Sequence, residues 1–563
     1  MEDKLQDWIK DAGAYELLNT YRIEQQSLYS FANNSEDFYI SLLNRMFFTI
    51  RDENLDFESK KERLLQIVKG LLVYSEETTA DKFEGVNRNN NLLYISTIYY
   101  LCQYNALSKL FISRAWQYDY ENESSQLLFS IMAGSPKYAN RRTPSCELLM
   151  GYMSSGDVSL LDRIEGWINH KVDSNEYLNL DDFFDTHIAI AVLKQFRDSN
   201  LWRILNPYGG KEIWGDYIEY SVKGNIFSLL PSQEDAILKG LLNYTRSFSL
   251  KMPTSAGKTF LTELLVYQEF KKTPDAKILY LAPLRSLSRE LKDRYARLSR
   301  EFHFDFRAAY GGCTTSAEEE SIEKAQLLIA TPETFITLEG TIENLIGKYT
   351  LVICDEGQLL EDKSRGVNYE LLLTRLKRNT DTRFLFISAI IPNISDINKW
   401  LGGQDTEVGD SRYRPCKIRF AYARPSSNNI SIQYANDDMD EWFVKVDNFL
   451  NDGQAALLGT SQKSLSCAIA LKAIEAGPVM LFCSMKDWNR GCISHSEEVL
   501  KMLKKHAFRS PSSFVKDKIW LDKVFEYFAY QLGSNYRLTK CIQEGFAYHH
   551  GQMPQDLREL IEM

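Results

Sequence analysis

From residue 1 to about 215 the apolar positions recur at three- and four-residue steps, the spacing of one helix face after another. In one such stretch Ser35 can cap a helix and Glu36 and Asp37 occupy its first turn. Tyr39, Leu42, Leu43, Met46, Phe47 and Ile50 then line one side. Comparable spacing runs through Leu64–Leu72, Leu92–Leu110 and Asp181–Phe196. Strand signals are scarce and no fixed repeat period emerges, so an all-α N-terminal region is predicted.

The pattern changes near Phe227. Short β-rich apolar runs now alternate with helical stretches: Lys277–Leu281, Leu327–Ala330, Leu351–Cys354 and Phe384–Ile387. That alternation predicts a parallel sheet with crossover helices. A second stretch of this kind begins near Ala456, with Val479–Cys483 expected as a strand, and the Ser-, Asn- and Asp-rich region Arg424–Asp438 is expected as a linker. The predicted organisation is a helical domain over 1–215, an α/β domain over 225–423 and a second α/β domain over 439–563.

Composition narrows the class of protein. Hydrophobic residues make up 44% and charged residues 25%, enough to bury ordinary cores and too apolar for a disordered chain. The formal net charge of −10 argues against a surface that attracts nucleic acid everywhere, while leaving room for a local basic groove. No run approaches the roughly 18 apolar residues of a membrane span, and Met1-Glu2-Asp3-Lys4 opens no signal-peptide core. None of the nine cysteines forms a C-x-x-C pair, which predicts reduced thiols and a cytoplasmic protein without membrane contact.

Two segments carry candidate chemistry. Met252-Pro253-Thr254-Ser255-Ala256-Gly257-Lys258-Thr259 ends in the G-K-[ST] of a phosphate loop. Gly257 allows backbone N–H groups to close on a phosphate. Lys258 suits the β- and γ-phosphates, and Thr259 offers a hydroxyl to Mg²⁺. A helix starting at Lys258 would point its positive end at the anion. The tripeptide is weak evidence alone, and the usual first glycine is replaced by Met252. The second segment is the apolar run Leu351-Val352-Ile353-Cys354 followed by Asp355-Glu356-Gly357-Gln358. A buried strand ending in two carboxylates can place one on a magnesium ion and the other beside an attacking water. Between Lys258 and Asp355 there is room for two or three strand–helix units, and the two signals together are far more specific than either alone.

Further segments follow in a recognisable order. They are Pro231-Ser232-Gln233; "LAPLRSLSREL" at Leu281–Leu291; "YGG" and then "IATPETF" at Ile329–Phe335; "DEGQLLEDKSRGVNYELLL"; "SAIIPNISDINKWLGG" at Ser388–Gly403; "RYRPCKI"; "MLFCSMKDW"; and "GFAYHHGQMPQDLR" at Gly545–Arg558. Over roughly residues 225–563 the chain resembles the superkiller-type helicases of superfamily 2, the group of archaeal repair helicases and RNA-exosome helicases. In that group the missing first glycine of the phosphate loop is normal.

The resemblance implies an α/β P-loop NTPase with a RecA-like parallel sheet and a partial second RecA-like domain. ATP and Mg²⁺ would lie between them and a DNA or RNA strand across their tops. Carried over residue by residue, Gln233 reads adenine, and Pro253, Thr254, Ser255, Ala256, Gly257, Lys258 and Thr259 form the ATP loop. Asp355 joins Thr259 on Mg²⁺, and Glu356 is the catalytic base beside Lys258. Pro283, Arg285, Thr331 and Glu333 line the strand path through backbone contacts, and Gln358 and Ser388 couple the sites. Arg285, Arg289, Lys292, Arg294, Arg297 and Arg300 supply positive charge there, although a plain exposed helix face is the better account of the later ones.

The chain also departs from the group. Gly357 and Gln358 stand where relatives have Ala and His or Asp, and Ile390 replaces a threonine that relays nucleotide state. No match to motifs V and VI follows the IVa-like segment. Motif VI carries arginines, and an arginine finger can be worth about 10³–10⁵ in rate. The expectation is a chain that binds ATP but turns it over poorly alone. A helical region ahead of such a motor resembles the helicase subunits of Hachiman-type anti-phage systems. That implies a nuclease or other protein partner through the N-terminal domain. Three functions stay open: an ATP-dependent helicase or translocase, an ATP-binding sensor that does not unwind, and an adaptor that uses the motor fold as a scaffold.

Overall fold

A computed structural model describes residues 2–20, 31, 34–75, 86–135, 143–283, 285–309, 316–416, 420–426, 428–435, 442–486, 491–550 and 553–562. The chain divides into two compact units. One comprises Met1–Leu42, Lys69–Val86 and Lys417–Met563, the other Leu43–Val68 and Asn87–Cys416.

The second unit holds a seven-stranded sheet. Its strands are β1 (Ser247–Lys251), β2 (Ile278–Leu281), β3 (Phe306–Ala309), β4 (Leu327–Ala330), β5 (Leu351–Cys354), β6 (Arg383–Ser388) and β7 (Val408–Asp410). They lie in the order β3-β4-β2-β5-β6-β1-β7, and every pairing is parallel. The expected strands at 277–281, 327–330, 351–354 and 384–387 are β2, β4, β5 and β6. Alternate residues Leu279, Leu281, Leu328, Ala330, Val352, Cys354, Phe384 and Phe386 enter one core with Phe335, Leu338, Leu372 and Leu376 from two crossover helices. Their neighbours Ile278, Tyr280, Ile329, Ile353 and Leu385 are also fully buried. Burial on both faces is why these strands read as unbroken apolar runs. The fold is an α/β RecA-like one with helices ahead of it.

Helices fill the described residues before the sheet, through Gly210–Lys223. Their ends follow ordinary capping physics. Asn122 accepts from the Ser125 N–H at 2.7 Å to start the helix Glu123–Ala133, and Gly134 closes it at φ 69°. The single helical stretch expected over Leu92–Leu110 is two helices, Arg88–Leu101 and Asn105–Arg114, broken where Gln103 adopts φ 64°. The helix Gly210–Lys223 docks on the crossover helix Lys258–Lys272. Fully buried Trp214 and Tyr217 pack on Tyr267, and the Tyr267 hydroxyl donates to Ile213 O at 2.7 Å.

In the other unit two expectations fail. Arg424–Asp438 is not a linker: β8 (Ala421–Ser426) and β9 (Asn429–Ala435) form an antiparallel hairpin that turns through Asn428 at φ 71°, and β10 (Trp442–Val446) pairs with β9. The polar composition hides a two-residue alternation, because Ile430, Ile432 and Tyr434 all enter a core with Phe449, Cys467 and Leu471. Val479–Cys483 forms no strand among the described residues, and Met480 and Phe482 are 89% and 84% exposed. An apolar run becomes a strand only where a neighbour supplies hydrogen bonds.

Candidate nucleotide-binding site

The phosphate loop leaves the end of β1 and the Asp-Glu pair leaves the end of β5, with β6 between those strands. All three carboxyl ends open on the same edge, where parallel α/β sheets place ligands. Two hydrogen bonds pin the loops to the sheet: Met252 N donates to Ser388 O at 3.0 Å, and Asp355 N donates to Leu281 O at 3.0 Å. The helix Lys258–Lys272 begins at Lys258, so its free N–H groups face the loop.

Gly257 adopts φ 86°, and a Cβ there would lie 2.2 Å from Gln233 Nε2. Only glycine fits both the turn and the approach of Gln233. Ser232 Oγ donates to Ala256 O at 2.8 Å, Gln233 Nε2 donates to Gly257 O at 3.1 Å, and Gln233 Oε1 accepts from Leu230 N at 2.8 Å. Pro253 is half-buried, Thr254 and Ser255 are exposed and Ala256 is buried, so the loop offers backbone to solvent over an apolar seat.

Lys258 Nζ lies 3.2 Å from Glu356 Oε1, an ion pair between the two sequence signals. Asp355 is 6% exposed. Burial pushes its carboxyl above the usual range, against the opposing pull of the Lys258 charge and a 2.9 Å hydrogen bond from the Tyr280 hydroxyl. Glu356 sits in the left-handed region at φ 48°, ψ 49°, which turns its carboxylate toward Lys258 and Gln358. The donor set suits a magnesium–triphosphate group: a hydroxyl on Thr259, a buried carboxylate on Asp355, an ammonium on Lys258 and a glycine cradle.

Gln358 Nε2 donates to Glu356 Oε2 at 2.5 Å, and Ser388 Oγ donates to Gln358 Oε1 at 3.0 Å. Sequence reasoning named both residues without foreseeing that they touch. The departure at Gly357 also gains a reason, since a Cβ there would meet the Phe386 ring at 2.2 Å. Ile390, in place of threonine, is 72% exposed.

The residues expected along the strand path divide. Pro283 and Thr331 are buried, and Thr331 caps the helix Pro332–Thr341 by accepting from Thr334 N at 3.2 Å. Glu333 is held by Arg365 through two hydrogen bonds, at 2.6 and 3.0 Å, and Arg365 also donates to Pro283 O at 2.7 Å. Burial would raise the Glu333 carboxyl, but the Arg365 bonds hold it below its usual value. Arg365 was visible in the sequence only as part of a motif, and its role as the tie between these loops was not foreseen. Arg294 is paired with buried Glu263, while Lys292, Arg297 and Arg300 are exposed. The side chains of Arg285 and Arg289, and the segment Tyr310-Gly311-Gly312, lie outside the described residues.

A parallel seven-stranded sheet with a phosphate loop after one strand and an Asp-Glu pair two strands away defines a RecA-like P-loop domain. Residues 230–397 match the family model described as DEAD/DEAH box helicase, so this region resembles the ATP-binding domain of such helicases. The Hachiman protein HamB of Bacillus cereus is 26% identical over 396 residues, covering 67% of this chain and 34% of that protein. ATP-dependent DNA helicase Hel308 of Methanocaldococcus jannaschii is 24% identical over 341 residues, covering 60% of this chain and 26% of that protein. The probable ATP-dependent DNA helicase HFM1 of Homo sapiens is 25% identical over 351 residues, covering 57% and 22%. The aligned regions thus span 22–34% of these relatives. No helix among the described residues is long and apolar enough to cross a membrane.

Proposed function

We propose that the chain is the ATP-driven part of a nucleic-acid helicase or translocase that acts in anti-phage defence with a nuclease partner. The observation that carries the motor reading is the 3.2 Å pair between Lys258 and Glu356, which joins the phosphate loop to the acidic pair. The resemblance to the Hachiman protein HamB supports the defence role and the partner.

In this reading Gln233 reads adenine, the loop Pro253–Thr259 wraps the phosphates, and Lys258 leaves Glu356 to neutralise the β- and γ-oxygens. Thr259 and Asp355 would hold Mg²⁺, which supplies positive charge to the same oxygens. Glu356, released from Lys258, accepts the proton of the attacking water. Ser388 and Gln358 carry the state of Glu356 to the end of β6. Pro283, Arg285 and Thr331 face the DNA or RNA backbone, with Glu333 acting through Arg365. Residues 1–215 form the partner-binding domain, 225–423 the first motor domain and 439–563 a partial second one.

A second reading, an ATP-binding sensor or adaptor that does not unwind, is favoured by the exposed Ile390, which has no hydroxyl to relay nucleotide state. Nucleic-acid-stimulated ATP hydrolysis and strand separation, measured with Lys258→Ala and Glu356→Gln controls, separate the two. Unwinding lost in both variants supports the motor. Hydrolysis without unwinding supports the sensor, and nuclease-partner binding indifferent to both substitutions supports the adaptor.

A further inference from the structure

A cavity of about 350 Å³ lies between the N-terminal helices and the phosphate-loop side of the sheet, within one compact unit. Its walls come from two sources. Gln233, Ser255 and Phe260 belong to the motor side, and Asn105 and Lys109 belong to the helix Asn105–Arg114. Phe227, on the segment between them, adds an apolar face.

The cavity adjoins the phosphate loop through Ser255 and Gln233. Whatever places its phosphates on Lys258 and Thr259 therefore has this space beside it for the rest of the molecule. Gln233 has spare capacity here. Its amide makes one bond at each end, to Leu230 N and Gly257 O, which leaves one lone pair and one N–H. Asn105 Oδ1 is buried and has no hydrogen-bond partner. A buried acceptor without a donor is costly, and a ligand N–H would relieve that cost. Lys109 Nζ donates to Asn225 O at 2.7 Å, which ties the helix wall to the segment leading into the motor.

We infer that the helical region completes the base-binding pocket of the nucleotide site, with Asn105 as a specificity-determining residue whose Oδ1 accepts a hydrogen bond from the N6 amino group of adenine. The inference rests on the reading of residues 252–259 as a triphosphate loop. Its chemistry is directional. Adenine presents an amino donor where guanine presents a carbonyl acceptor, so the Asn105 carbonyl favours the first and opposes the second. The helical wall is then part of the nucleotide site as well as a partner-binding domain.

The test is competition of MgATP and MgGTP against a fluorescent ADP analogue on the full chain, with thermal unfolding to confirm the fold. The wild type is expected to prefer MgATP. Asn105→Ala is expected to reduce the ATP/GTP affinity ratio by about five- to tenfold, the worth of one hydrogen bond. Asn105→Asp keeps an acceptor and is expected to keep the preference. A general loosening of the wall lowers both affinities together and leaves the ratio unchanged. An unchanged ratio in Asn105→Ala, or loss of preference in Asn105→Asp as well, overturns the assignment. Lys258→Ala separates this from the underlying reading. If that variant binds both nucleotides as tightly as the wild type, the triphosphate loop itself is wrong and the inference falls with it.

Discussion

The Ser388 hydroxyl donates to Gln358 Oε1 at 3.0 Å, and through the opposite end of that amide the end of β6 is connected to Glu356. A glutamine is the one uncharged side chain of this length that accepts at one end and donates at the other. The position occupied by His or Asp in related helicases is thus filled by a residue that still bridges two partners.

Gln358→Glu turns the donor into an acceptor and sets two carboxylates within hydrogen-bond distance. Like charges so close repel, so the Glu356 carboxylate loses its donor and is driven from the place that the Gln358 amide gives it. The rate of ATP hydrolysis at neutral pH is expected to fall by about tenfold, the worth of one hydrogen bond to a charged group, with ATP affinity little changed. An unchanged rate would show that the Gln358 contact does not position Glu356.

Gly257→Ala places a methyl group against Gln233 and forces an L-residue into φ 86°. The backbone cost is about 1–2 kcal/mol, and the displaced Gln233 deforms the loop. ATP affinity is expected to fall by at least about tenfold, while the double variant Gly257→Ala/Gln233→Ala recovers some stability but not binding. Calorimetric titration and thermal melting of both variants read the two effects separately.

Asp355 offers a test through pH. Its carboxyl is raised in the folded protein, mainly by burial, so the folded state binds its proton more tightly than the unfolded chain does. The cost of holding it ionised is present above the folded value and vanishes as pH falls below the unfolded one. Asp355→Asn removes that cost. The variant is expected to have a higher Tm than the wild type at pH 7, with the gain shrinking as the solution is acidified. A gain that grew on acidification would reverse the assigned sign.

Arg365 ties Glu333 and the Pro283 carbonyl together, so it positions two loops expected along the strand path. The pair is partly exposed, so Arg365→Ala is expected to cost only about 0.5–1 kcal/mol of stability. Nucleic-acid affinity is expected to drop several-fold with nucleotide affinity unchanged. Arg365→Lys keeps the charge but not the two-pronged geometry and is expected to restore little. Equal losses of ATP and nucleic-acid binding would reduce Arg365 to a stabilising role.

The phosphate loop, the acidic pair and the central strands β2, β4, β5 and β6 were legible because each is a local pattern. A buried parallel strand must be apolar throughout, and a loop that cradles phosphate must be Gly-Lys-Thr-like. Phe306–Ala309 and Val408–Asp410 were missed because they are the two edge strands of the sheet, which need not be apolar on both faces. The hairpin at 421–435 was missed because its inward residues alternate with polar ones in a Ser- and Asn-rich stretch.

What the chain determined alone was therefore the chemistry carried by neighbours in sequence: which turn can hold phosphate, which strand ends in carboxylates, which segments coil as helices. Only the folded molecule decided which distant groups meet. Lys258 reaches Glu356, Arg365 reaches Pro283, and Asn105 lines the same cavity as Gln233. It also decided that Val479–Cys483, apolar enough for a strand, pairs with nothing among the described residues. The reason is common to all four. A hydrogen bond or ion pair between residues far apart in sequence depends on the packing that brings them together, and no local spacing encodes that distance.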